Sequence, residues 1–186
     1  MRTAPLTRQH GTTMIEVLVT IVILAFGLLG LVGLQSRLQV SEMEAYQRSQ
    51  ALILLEDMAN RIATNRNFAA NYVTTTPLGT GHNCTIDSTS SRKDRDSCEW
   101  SNALQGAAEL SGTSKVGALI GGRGCVESLG SGEYLITVAW QGMGPLQAPP
   151  ASVACGLNSY NGATGTACTN DRCRRVLTTI VRIAGL

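Results

Sequence analysis

Residues 14 to 34 are apolar at nearly every position, and Glu16 is the sole ionisable side chain among them. About 21 such residues match what an α-helix needs to cross roughly 30 Å of hydrocarbon at about 1.5 Å per residue, so the stretch predicts a membrane span. From residue 34 to about 65 there is no proline or glycine. Apolar side chains return at Leu38, Ala45, Leu52, Leu55, Ala59 and Ile62, spaced by three, four or their sums, which predicts an amphipathic continuation of the same helix. The combined helix would run roughly 75–80 Å. Arg37, Glu42, Glu44, Arg48, Glu56, Asp57, Arg61 and Arg66 read as a solvated face whose helix pairs each contribute tenths of a kcal/mol.

The pattern changes after Tyr72. Thr, Ser, Asn and Gly dominate from residue 74 to 102, and the run Arg92-Lys93-Asp94-Arg95-Asp96 shows no periodicity, so this region reads as a surface loop. A short helix is expected from about residue 102 to 110. Strict alternation at Tyr134, Ile136, Val138 and Trp140 predicts a strand over 133–141. Residues 125–129 precede it across Gly130-Ser131-Gly132, a connection of hairpin length. The β-branched run over 174–183 predicts a third strand. Three antiparallel strands with one face to bury call for a cover, and the outer half of the long helix is the amphipathic element available for it. The expected fold is α+β: a long helix, half of it transmembrane, packed on an antiparallel sheet. Beyond the span lie about 150 residues, enough for one core.

Glu16 changes the reading of the span. A carboxylate inside an apolar helix is costly and marks a functional position whose partner is positive. Arg2 and Arg8 ahead of the apolar run also fit a secretory signal, but the run is longer than a signal's apolar core of roughly 7–15 residues and has no small-residue exit before Gln35. Gly11 instead lies before the run. Cleavage between Gly11 and Thr12 would leave the helix on the mature chain and set its new ammonium one helical turn from Glu16, within one chain or between neighbours. Gly27, Gly30 and Gly33 recur near one face, a device for close helix packing, although glycine is also common in membrane helices.

The segment from Gly11 through Met14-Ile15-Glu16-Val17-Leu18-Val19 into the apolar helix resembles the class III signal of type IV pilins and type II secretion pseudopilins. The resemblance implies cleavage after Gly11 by a prepilin peptidase and methylation of the Thr12 amine. Thr12 departs from the phenylalanine usual at that place in the family. It also implies a pilin-like fold, with a leader over 1–11, a transmembrane helix over 12–34, an amphipathic helix over 35–72 and a periplasmic head over 73–186.

Six cysteines, all beyond the span, suit disulfides in an oxidising compartment. Six allow 15 pairings, and sequence does not choose among them. The expected set is Cys84 with Cys98, Cys125 with Cys155, and Cys168 with Cys173; a zinc site on Cys155, Cys168 and Cys173 is the disfavoured alternative. Catalysis is not expected, and no cofactor or metal is implied. His10 falls in the leader, His82 has no carboxylate pattern around it, and Gly121-Gly122-Arg123-Gly124 lacks the Lys-Ser/Thr of a phosphate loop. The formal charge of +2 owes its excess to Arg2 and Arg8, so the cleaved chain is balanced. Nucleic-acid binding is therefore disfavoured, its possible footprint reduced to Arg172, Arg174 and Arg175.

In the head, Gly122-Arg123-Gly124-Cys125-Val126, the strand from Tyr134 through Thr137-Val138-Ala139-Trp140-Gln141-Gly142, then Cys155-Gly156 and Arg174-Arg175-Val176, resemble the PilV family of minor pilins. Cys168 and Cys173 are additions to that pattern. The resemblance implies a low-abundance subunit that meets other minor pilins, the major pilin and the inner-membrane assembly platform, primes the fibre, and can stay at its tip with a large adhesin. It would sit in the inner membrane before assembly and in the fibre afterwards. A type II secretion pseudopilin, and an adhesive or DNA-binding pilin, are the alternatives.

Overall fold

The computed structural model describes residues 13–107, 110–112, 114–115, 117 and 119–184; Gly11 and Thr12 lie outside them. The chain divides into two units, residues 1–42 and 43–186. Helix α1 is Met14–Thr64. A 3-10 helix, Arg66–Tyr72, follows it. Strand β1 is Leu78–Gly79 and helix α2 is Arg92–Leu104. A separate two-stranded ribbon pairs β2 (Leu110–Ser111) with β3 (Ser114–Lys115). The main sheet is completed by β4 (Arg123–Gly130), β5 (Glu133–Gln141) and β6 (Arg174–Arg182). Its order is β1-β4-β5-β6, antiparallel throughout. This is the α+β fold expected from the patterning, and it matches the pilin-like fold that the resemblance implies.

Within the larger unit, α1 covers one face of the sheet. Ala51, Leu55, Met58 and Ile62 meet Val126, Tyr134, Ile136, Val138 and Trp140 in the main core. The alternation read along β5 is thus the core-facing set. Ala139, on the opposite face, joins Cys125, Cys155, Tyr160 and Val176 in a second cluster, so both faces of the central strand are buried.

The β4–β5 hairpin turns through Gly130, Ser131 and Gly132, all at positive φ (88°, 51° and 76°). This is a backbone state glycine adopts without penalty. A register shift between Ser128 and Gly130 accompanies it and leaves Leu129 half exposed, as an extra residue in one strand does.

Two expectations need correction. The buried stripe of α1 is Gln47, Ala51, Leu55, Met58 and Ile62, whereas Leu38 and Leu52 are exposed. Leu52 is on the wrong side because the face is set by Ala51 and Leu55, one turn apart, and Leu52 sits about 100° round from Ala51. The run 92–96 is not a loop but the start of α2, and the helix expected at 102–110 instead ends at Leu104. Ser91 caps it, its hydroxyl accepting from the Asp94 amide at 3.1 Å. The inward face of α2 carries Asp96, Cys98, Trp100, Ser101 and Leu104. The polar residues among them hide its periodicity.

Candidate functional site

The start of α1 is built by the backbone. The carbonyl of Thr13 accepts from the amides of Glu16 (3.0 Å) and Val17 (3.3 Å), so Glu16 lies in the first turn, where a carboxylate complements the positive end of the helix dipole. Glu16 is exposed. Thr20 turns its hydroxyl back onto the Val17 carbonyl at 2.8 Å, satisfying the polar group inside the helix.

None of the most apolar 18-residue stretch of this helix is buried. Ile15, Leu18, Ile23, Leu24, Phe26 and Leu29 are each exposed. A core helix of a soluble domain would bury such a face, so an uncovered one needs lipid or other helices. A side-chain carbon added at Gly27, Gly30 or Gly33 would meet nothing within 4 Å. Nothing in the described protomer therefore requires glycine at these three positions.

In the larger unit the charges of α1 have partners that the helix pattern did not reveal. Arg61 Nε lies 3.0 Å from Asp57, and its Nη1 donates to Asp96 at 3.1 Å and to Glu99 at 2.7 Å. Burial opposes the charge on Arg61, but the bonds to Glu99 and Asp57 outweigh it and raise its pKa. Asp96 also accepts from the Tyr72 hydroxyl. Burial first, and then this bond, raise the Tyr72 pKa above its ordinary 10.0. The Trp100 indole donates to the Leu54 carbonyl at 2.8 Å, and its ring occupies the space that a side chain at Gly124 would need. Together these contacts fix α2 on α1 and on β4.

Glu44 makes a second anchor. It accepts from Arg175 Nη2 at 3.1 Å and Nε at 3.3 Å, and from the Met143 amide at 2.9 Å. Arg174 is buried, with Nη1 donating to the carbonyls of Val153 (2.6 Å) and Cys155 (3.1 Å). Its Nε lies 3.1 Å from Asp171 as an ion pair rather than an aligned hydrogen bond. Of the three arginines weighed as a nucleic-acid footprint, two are thus committed to structure. Arg172 is exposed and has no ion pair among the described residues.

The disulfides join Cys84 to Cys98, Cys125 to Cys155 and Cys168 to Cys173, the pairs expected from sequence. The first ties the segment before α2 to that helix, the second ties β4 to the long loop after β5, and the third closes a short loop just before β6, at a sequence separation of 5. No cluster of three metal-ligating side chains occurs among the described residues. His82 Nδ1 lies 3.4 Å from the Ser101 hydroxyl, with no carboxylate among its described hydrogen-bond or ion-pair partners.

Residues 6–32 match a family model described as the prokaryotic N-terminal methylation motif. Neither a curated protein nor a solved structure matches the chain. The motif is of the prepilin type and, with the long helix and four-stranded sheet, supports a type IV pilin-like or pseudopilin role. It points to a structural subunit rather than an enzyme, handled by prepilin peptidase and a pilus-type assembly machinery. The apolar helix fits membrane anchoring before assembly.

Proposed function

We propose that the protein is a minor pilin of the type IV pilus, of the PilV family, that takes part in priming the fibre and in the motility or adhesion that depends on it. The observation that carries the proposal is the Glu16 carboxylate in the first turn of α1, within a prepilin-type motif and at the start of an apolar stretch none of which is buried. In this reading the leader 1–11 is removed after Gly11, Thr12 becomes the methylated terminus, 12–34 holds the subunit in the inner membrane, and the disulfide-bonded head lies in the periplasm. Lipid contacts of the helix are exchanged for helix contacts in the fibre. Glu16 sets axial register by pairing with the terminal ammonium of a neighbour, where low dielectric strengthens the attraction. Gly27, Gly30 and Gly33 allow neighbouring helices to approach. The partners are other minor pilins, the major pilin, the assembly platform and a large tip adhesin.

Glu16→Ala tests this directly. Membrane insertion should be unchanged while incorporation into sheared fibres falls. Normal incorporation would contradict the register role. A deletion strain that keeps twitching motility but fails to export folded proteins would assign the chain to a type II secretion system instead.

A further inference from the structure

A cavity of 240 Å³ opens between the 3-10 helix and the start of α2, lined by Asn65, Phe68, Asn71, Ser91, Arg92 and Lys93. Its walls hold one aromatic ring, two amides, a hydroxyl and two cations, and no acid. Phe68 is 59% exposed, whereas Trp100, Trp140, Tyr72, Tyr134 and Tyr160 are buried. It sits at a kink, with non-helical φ −120° and ψ 20° inside the 3-10 helix, and burial in the protomer does not account for it.

The polar groups around the ring are available. Asn65 Nδ2 donates to the Tyr72 hydroxyl at 3.0 Å, which fixes the amide and leaves its Oδ1 free among the described residues. Asn71 has no side-chain hydrogen bond among them. Among the described residues Arg92 makes only a distant ionic contact, Nε to Asp96 at 3.8 Å, with its side chain 60% exposed. Lys93 Nζ is 3.4 Å from Asp94. The Ser91 hydroxyl is engaged with Asp94 and serves as wall.

We infer that this cavity is a binding site for a carboxylated sugar residue, such as a uronic acid in an acidic polysaccharide. The apolar face of a pyranose ring covers Phe68, and the sugar hydroxyls exchange donors and acceptors with Asn65 and Asn71. The carboxylate meets Arg92, whose planar fork matches it, and Lys93. A single nucleic-acid strand is the poorer fit, since it calls for a basic groove that tracks several nucleotides with repeated stacking, whereas this site is one compact cavity with one ring. The inference rests on the larger unit alone, residues 43–186, and does not depend on how the amino terminus is processed.

Isothermal titration of the full chain in detergent micelles with trigalacturonic acid tests the site, beside neutral galactotriose and a single-stranded oligothymidylate. The acidic trisaccharide should bind at least about tenfold tighter than the neutral one. Phe68→Ala and Lys93→Gln should each weaken it by about tenfold with the melting temperature unchanged. Among the described residues Lys93 has only Asp94 as an ionic partner, so its variant keeps the test intact if Phe68→Ala perturbs folding. The inference is overturned by no binding at millimolar acidic sugar, by equal affinity for the neutral one, by variants that bind as the parent does, or by tighter oligothymidylate binding lost on the same substitutions.

Discussion

Residues 14–42 and residues 43–184 make opposite use of their side chains. In the first stretch no apolar group is buried and no ion pair forms among the described residues. In the second, large apolar groups converge on two clusters, and buried or half-buried charges are matched by name: Arg61 by Asp57, Asp96 and Glu99, Arg175 by Glu44, and Arg174 by Asp171. The contrast teaches where to look for function. A region that satisfies itself explains a fold, whereas a region that leaves an apolar helical stretch and the Glu16 carboxylate within it uncovered defines what must come from outside.

The contrast makes Trp100 the most sensitive position in the head. Trp100→Ala removes a fully buried ring and its bond to the Leu54 carbonyl, and should cost about 3–5 kcal/mol in head stability by thermal or denaturant melting. Leu24→Ala, in the uncovered helix, should leave that transition unmoved. Replacing Cys125 and Cys155 by serine opens a link across 30 residues and should cost about 2–4 kcal/mol in the same assay. Asp96→Asn takes an anionic partner from Arg61 and changes the acceptor of Tyr72, for an expected loss of about 1–3 kcal/mol. Glu44→Gln weakens a partly exposed clamp and should cost about 1 kcal/mol or less.

The smallest effect is alkaline. Since Tyr72 is raised in the folded state, its contribution is complete below about pH 10 and is lost as pH climbs through the native value. Tyr72→Phe should flatten the fall in melting temperature above pH 10. Tyr160, raised by its own burial, keeps the fall from vanishing. An unaltered alkaline slope in Tyr72→Phe would remove Tyr72 from the account.

Much of this architecture is legible from period alone. β5 declares itself because alternate apolar residues must face one core, β6 through its β-branched content, and α1 because nothing interrupts it from residue 34 to its end at Thr64. α2 is hidden because its buried face includes Asp96 and Ser101, whose partners Arg61, Tyr72 and the Gly79 amide lie 22 to 35 residues away. The stripe of α1 is misjudged for a related reason. Gln47 sits on the buried face with neither amide atom hydrogen-bonded among the described residues, while Leu52 faces out. The charges of α1 look like an ordinary solvated face until Glu44 meets Arg175, 131 residues on. Only Ser91, three residues before Asp94, signals the start of α2 in advance, as a capping pattern. The cavity at Phe68 has no signal in the sequence, because its walls come from two separate segments, residues 65–71 and 91–93.

The most direct test of the central claim is mass spectrometry of the amino-terminal peptide, taken from sheared surface fibres and from the membrane fraction of cells carrying the intact assembly machinery. The account predicts a peptide that begins at N-methylated Thr12 and is present in the fibres. A chain found only in the membrane, still beginning ahead of Gly11, would contradict it and leave an ordinary anchored domain.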